Sequence, residues 1–206
     1  MSGQFVVVEG LEGAGKSTVL SVIEEYLIKK ICSVMKTREP GGTALAEEIR
    51  SLLLKHDANE VIVPEAELLL MYASRVQHIE LKIKPALQQG QWVLCDRFAL
   101  SSFAYQGGGR NLSMSTLQQV HDAVVQGFSP NLTFYLDIDP LLGLERAKRR
   151  GELDRIEQEK VDFFIRAREV YLEHAHSDPT VILINAEQSM EKVANDVCQQ
   201  LDKVIL

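Results

Sequence analysis

Residues Gly10-Leu11-Glu12-Gly13-Ala14-Gly15-Lys16-Ser17 constrain this chain more than any other stretch. The pattern G-x-x-x-x-G-K-S follows Phe5-Val6-Val7-Val8 directly and leads into Val19, Val22, Ile23, Tyr26 and Leu27, which are spaced as one face of a helix. A strand that turns through glycines into a helix lets backbone N–H groups converge on phosphate oxygens. The helix N-terminus adds partial positive charge, Lys16 reaches the terminal phosphates, and Ser17 is placed to ligate Mg²⁺. The stretch predicts a nucleoside triphosphate site. Glu12 is the odd member, because a carboxylate beside phosphates is repelled unless it points away. It is either a sugar-hydroxyl acceptor for a second ligand or a solvated loop residue.

The rest of the chain alternates. Short β-branched runs at 4–9, 32–37, 91–96, 132–137 and 180–184 are apolar enough to lie buried on both faces of a parallel sheet. Between them, Met190, Val193, Ala194, Val197, Cys198 and Leu201 mark a second amphipathic helix, and 65–88 reads as one long helix stopping at Gly90. Ser115 with Gln118 predicts a capping box for a helix to about 126. This order implies an α/β fold: a three-layer phosphate-loop NTPase domain over 1–206, with a five-stranded parallel sheet flanked by helices and ligands beyond the strands' carboxyl ends. The stretch 146–160 is mostly charged, with few apolar residues, and is expected to be a surface excursion, with a mobile lid at about 147–157.

A net charge of −7 lacks the broad basic field that nucleic acid or anionic membrane demands, so neither is an expected partner. The longest apolar run, Leu68 to Ala73, is too short for a bilayer span. Cys32, Cys95 and Cys198 show no CxxC spacing and the amino terminus lacks a signal-peptide pattern, which points to the cytoplasm. His56, His78, His121, His174 and His176 show no metal-ligand spacing.

Further motifs fall where strands end. Trp92-Val93-Leu94-Cys95-Asp96-Arg97 delivers an acid and a base to the crevice of the phosphate loop if the two strands are neighbours. Asp96 is then placed to orient Mg²⁺ and Arg97 to clamp a phosphoryl group; alone, the pair reads as a strand-end ion pair. Thr37-Arg38-Glu39-Pro40-Gly41-Gly42-Thr43 is a second strand-to-helix turn, with Thr43 as N-cap. Met71, Tyr72 and Arg75 share one helix face. Ser101 to Gly107 sets hydroxyls, the Tyr105 ring and the Gln106 amide on one short stretch. Arg146, Lys148, Arg149 and Arg150 end a 140–150 helix, where they either complement the macrodipole or bring an arginine onto a transferring phosphoryl group.

Taken together, Gly10 to Ser17, REPGGT from Arg38 to Thr43, YASRVQH around Arg75, Asp96-Arg97-Phe98, SFAYQG from Ser102 to Gly107 and RGELDRIE from Arg150 to Glu157 resemble the bacterial-type thymidylate kinases over nearly the whole chain. The resemblance implies transfer of the γ-phosphoryl group of Mg-ATP to dTMP in a homodimer. By the family's pattern Gly10 to Ser17 binds ATP, and Arg38, Arg97 and the Glu39-Pro40 turn surround the acceptor. Arg75, Ser102 and Gln106 read the thymine, Tyr105 excludes an extra ribose hydroxyl, Glu12 meets the acceptor sugar, and Arg150 is the lid arginine. Met71 stands where the family usually presents a stacking phenylalanine, and Tyr72 is the neighbour that would compensate.

The chemistry is coherent without the name. A monophosphate with a second pKa near 6 is mostly dianionic at neutral pH and needs no general base, so the absence of a convincing catalytic histidine is expected. A related kinase for another nucleotide or a deoxynucleoside is the nearest alternative. A regulatory GTPase is disfavoured because no Asn-Lys-x-Asp segment is present.

Overall fold

The computed structural model describes residues 3–31, 33–55, 60–151 and 153–205. Cys32, His56 and Glu152 lie outside them. In chain order the elements are β1 (Phe5–Gly10), α1 (Lys16–Ile31), β2 (Val34–Arg38), α2 (Ala44–Leu54), α3 (Pro64–His78), α4 (Lys84–Gln88), β3 (Trp92–Asp96), α5 (Ala99–Ser102), α6 (Met114–Val125), β4 (Leu132–Asp137), α7 (Pro140–Arg150), α8 (Val161–Ser177), β5 (Val181–Asn185) and α9 (Met190–Ile205).

All five strands are parallel, in the order β2-β3-β1-β4-β5. β1 is buried along its whole length because helices cover both faces, which is why Phe5-Val6-Val7-Val8 is an unbroken apolar run rather than an alternating one. The same register sets Val8 opposite Asp96 and Gly10 opposite Leu136, so the ends of β1, β3 and β4 open on one edge. The five predicted strands are all present, each within two residues of its expected bounds.

Three expectations need correction. The 65–88 helix is continuous in path but carries a π-helical turn at Ile79–Ile83 between α3 and α4. α6 is capped by Ser113, whose hydroxyl accepts from Thr116 N at 3.4 Å; Ser115 lies inside the first turn, its hydroxyl against that of Ser113. The charged stretch after α7 is not wholly a surface excursion, since Ile156 and Glu157 are buried. Arg155 donates to Leu53 O at 2.8 Å and to Glu67 at 2.6 Å. Charge did not prevent packing because each buried charge found an opposite one.

Two elements carry no clear sequence signal. Phe103–Gly109 continues α5 as a π-helical segment despite three successive glycines. The glycines permit close approach to α8, where a Cβ on Gly108 would fall 2.7 Å from Arg166 O. α8 itself buries Phe163, Phe164, Ala167, Val170 and Tyr171 against the sheet and this segment.

Candidate active site

The strand-to-helix loop after β1 has the geometry its spacing predicts. Gly13 has φ 73°, and a Cβ there would lie 2.1 Å from Gly143 O of α7, so only glycine fits. Leu11 and Ala14 point into the core and offer the loop main chain only. Lys16 Nζ donates to Gly10 O at 3.0 Å and Leu11 O at 2.9 Å. Burial, reinforced by the charge of Arg97, pushes this ammonium down to about 8. Ser17, exposed at the start of α1, borders a cleft with Asp96, whose buried Oδ1 has no hydrogen-bond partner among the described residues.

At the end of β3 the chain turns sharply. Arg97 has φ 67°, unusual for a residue with a Cβ, while its N–H remains bonded to Val8 O at 2.9 Å. Its guanidinium donates to Glu12 Oε1 at 2.6 Å, Ser101 Oγ at 3.2 Å and Tyr171 OH at 3.4 Å, and lies 4.9 Å from the Tyr105 ring. Tyr105 OH donates to Glu12 Oε2 at 2.7 Å. Burial raises the Glu12 carboxyl, but Arg97 and Lys16 outweigh it and hold the group below the usual carboxylate range. Glu12 thus turns toward Arg97 and Tyr105.

Every residue expected at the acceptor lines one cavity. Glu12, Arg38, Pro40 and Arg97 stand at its phosphate-loop end; Met71, Arg75, Ser102, Tyr105 and Gln106 line the remainder. A second cleft, over the loop, is bordered by Gly13, Gly15, Lys16, Ser17, Asp96 and Arg150, and shares Glu12, Asp96 and Arg97 with the first.

Arg75 is almost fully buried, with Nε on Glu39 Oε2 at 2.7 Å, one terminal nitrogen on Ser102 Oγ at 3.0 Å and the other on Phe98 O at 3.1 Å. Glu39 also meets His78 Nδ1 at 3.0 Å, and His78 Nε2 lies 2.7 Å from Thr37 Oγ1, so this histidine is structural. Tyr72 does not reach the cavity. It is buried in the core, with its hydroxyl 3.2 Å from His121 and its ring under Arg75, and so cannot stand in for a stacking ring at Met71.

Three site residues escaped the sequence reading. Glu9, fully buried, accepts from Phe98 N at 2.8 Å, Ser101 N at 3.1 Å, Ser101 Oγ at 2.6 Å and Tyr171 OH at 2.8 Å, fixing the turn that carries Arg97. Burial pushes its carboxyl up. Arg50 of α2 borders both clefts and donates to Pro40 O at 3.0 Å. Glu67 lies behind Gln106. Glu9 could have been suspected as an acid inside an otherwise apolar strand; nothing in the sequence marks Arg50 or Glu67.

A phosphate loop at the carboxyl edge of a parallel sheet, joined through Arg50 and Arg97 to a second cavity rich in cations, defines a phosphate-loop nucleotide kinase. Residues 8–197 match the family model described as thymidylate kinase. The chain is 54% identical over 202 residues to the thymidylate kinase of Shewanella frigidimarina, covering 98% of this chain and 94% of that one. With that of Haemophilus ducreyi it is 52% identical over 206 residues, covering 100% and 96%. The crystal structure of thymidylate kinase from Ehrlichia chaffeensis superposes with a TM-score of 0.77 at 31% identity, covering 98% of this chain and 99% of that one. The chain belongs to the thymidylate kinase family. Among the described residues no helix is long and apolar enough to cross a membrane.

Proposed function

We infer that the chain uses ATP to phosphorylate dTMP to dTDP, a step toward dTTP for DNA replication, with donor and acceptor held in the two clefts that share Arg97. Membership of the thymidylate kinase family carries the reaction. The single geometric observation behind the residue assignments is the sharing of Glu12, Asp96 and Arg97 by both clefts. Gly10 to Ser17 hold the triphosphate through main-chain N–H groups, and Lys16 neutralises its terminal oxygens. Arg38 and Arg97 hold the acceptor phosphate in line, with Pro40 walling its cavity. Tyr105 and Glu12 enclose the sugar, and Tyr105 leaves no room for an additional hydroxyl. Arg75, Ser102 and Gln106 face the base, with Met71 against its ring.

The acceptor is already a dianion near neutral pH, so alignment and charge neutralisation suffice. Asp96 and Ser17 would hold Mg²⁺; the buried Asp96 Oδ1 beside the loop, without a partner among the described residues, supports that assignment. Such an ion would supply positive charge to the donor phosphates. The catalytic domain is read as one unit over 1–206, with a lid at about 147–157 that brings Arg150 to the transferring group. Arg150 ends α7, is mostly exposed, and pairs with Glu157. We also read the enzyme as a cytoplasmic homodimer. Exposed Leu69 and Leu81 on the α3–α4 helix support a partner face, and the free thiols Cys95 and Cys198 suit a reducing compartment.

The test is ADP release with dTMP, thymidine, other nucleoside monophosphates and no acceptor. Rapid turnover only with dTMP is expected, and equal rates with every acceptor refute the assignment. Sedimentation should give about twice 23.1 kDa.

A further inference from the structure

Glu67 has no role in the scheme above, yet its side chain is completely buried on α3, one turn before Met71 and two before Arg75. A carboxylate out of water persists only where donors fill its oxygens. Oε1 accepts from Gln106 Nε2 at 2.8 Å and Arg110 Nε at 3.3 Å; Oε2 accepts from Arg155 at 2.6 Å and a terminal Arg110 nitrogen at 3.2 Å. Burial pushes this carboxyl up, but the hydrogen bonds from Gln106, Arg110 and Arg155 outweigh it and hold it below the usual range. Ionised, it has no proton to give.

The consequence falls on Gln106. A side-chain amide has a donor end and an acceptor end, and the neighbours decide which end faces which way. With an acceptor-only carboxylate on one side, Gln106 must turn its NH₂ toward Glu67. Its Oε1 accepts from no described residue, and the side chain lines the acceptor cavity.

We propose that Glu67 is a specificity-determining residue that pins the Gln106 amide in one of its two orientations, so that Gln106 presents only an acceptor to the base. The proposal rests on the reading that Gln106 faces the base. A pyrimidine with N3–H, as in thymine, then completes a hydrogen bond. One with a bare N3, as in cytosine, sets two acceptors against each other, the kind of mismatch that a built polar site rejects strongly. The second oxygen of the same carboxylate holds Arg155, from the segment that follows Arg150, so the base pin and the proposed lid meet at one side chain.

The experiment compares kcat/KM for dTMP and for 5-methyl-dCMP, which differs at N3 and C4 only, in the wild type, Glu67→Gln and Gln106→Ala. A glutamine at 67 can donate or accept, which frees Gln106 to turn over. The preference for dTMP should fall at least about tenfold in Glu67→Gln, mainly through KM, toward the value for Gln106→Ala, with Arg75 supplying what remains. If Gln106→Ala loses the preference and folded Glu67→Gln keeps it, Glu67 is only structural and the proposal is overturned. If Gln106→Ala keeps it as well, the base-facing reading of Gln106 falls first. Should Glu67→Gln not fold, NMR of the wild-type protein decides. The Gln106 side-chain NH₂ resonances, assigned by their loss in Gln106→Ala, should barely move on dTMP binding. A large shift would show that the amide donates to the base, against the proposal.

Discussion

The two clefts are built differently. Over the phosphate loop the groups are main-chain amides and long cations that stay partly solvated: Lys16 is half-buried and the Arg150 side chain is 65% exposed. At the far end of the acceptor cavity the groups are short-leashed and closed off, with Arg75, Glu39, His78 and Gln106 all buried and bonded to one another or to their neighbours. The contrast suits the tasks proposed for the two clefts. A triphosphate is gripped by charge and needs cations that can follow it, whereas a neutral base is told apart by hydrogen-bond direction and needs donors and acceptors that cannot turn.

That contrast is open to test, beginning with the largest effect. Lys16→Ala should lower kcat by at least about 10³-fold while leaving the melting temperature unchanged or higher, because it deletes a half-buried cation that the fold does not need. A lower melting temperature with modest loss of rate would erase the distinction. Glu39→Gln should do the reverse at the base end. It strands the buried Arg75 charge and should cost about 3 kcal/mol of stability, measured by denaturant unfolding; a change below about 1 kcal/mol would show that the network is not structural. Arg150→Ala should reduce kcat by about 10²-fold with KM for dTMP nearly unchanged, and a large rise in that KM instead would take Arg150 out of the lid role.

A smaller effect concerns pH. Lys16 sits at about 8 in the free protein, and a bound triphosphate must raise that value. ATP binding at pH 8 should therefore take up roughly half a proton, and affinity should fall as pH climbs through 8. Calorimetry in buffers of different ionisation enthalpy reads the uptake directly; no buffer dependence would place Lys16 elsewhere. The smallest change is Met71→Phe, which on the proposed reading exchanges a sulfur–ring contact with the base for a ring–ring one and should lower KM for dTMP only about two- to fivefold. A rise in KM would show that the cavity is shaped for methionine.

The donor side was legible because its chemistry is local. Eight consecutive residues carry the loop, its glycine conformations and its lysine, and the strand before and helix after are visible in hydrophobic spacing. The residues proposed for the acceptor, which line one cavity, were named through several short motifs whose joint order resembles one family, not through any pattern readable by itself. Glu9, Arg50 and Glu67 stayed hidden for a physical reason. Each sits on an ordinary strand or helix, and its role exists only through what the fold brings beside it: Glu67 meets Gln106 39 positions away, Glu9 meets Tyr171 162 positions away, and Arg50 borders both clefts. Arg155 differs from its expected place on the same grounds, since a charged stretch looks solvated until its counter-charges are known, whereas the cap of α6 falls on Ser113 although only Ser115 has a glutamine three residues on.

By itself the sequence determined the parallel layered sheet and the phosphate loop, because backbone conformation and apolar periodicity are properties of neighbouring residues, and the joint order of its motifs carried the resemblance to one family. Which way the acceptor side chains face was decided only by the tertiary structure. Glu12 turns to Arg97, Arg75 to Glu39 and Gln106 to Glu67, because a buried charge or amide takes its orientation from whichever partner the fold brings within hydrogen-bond reach.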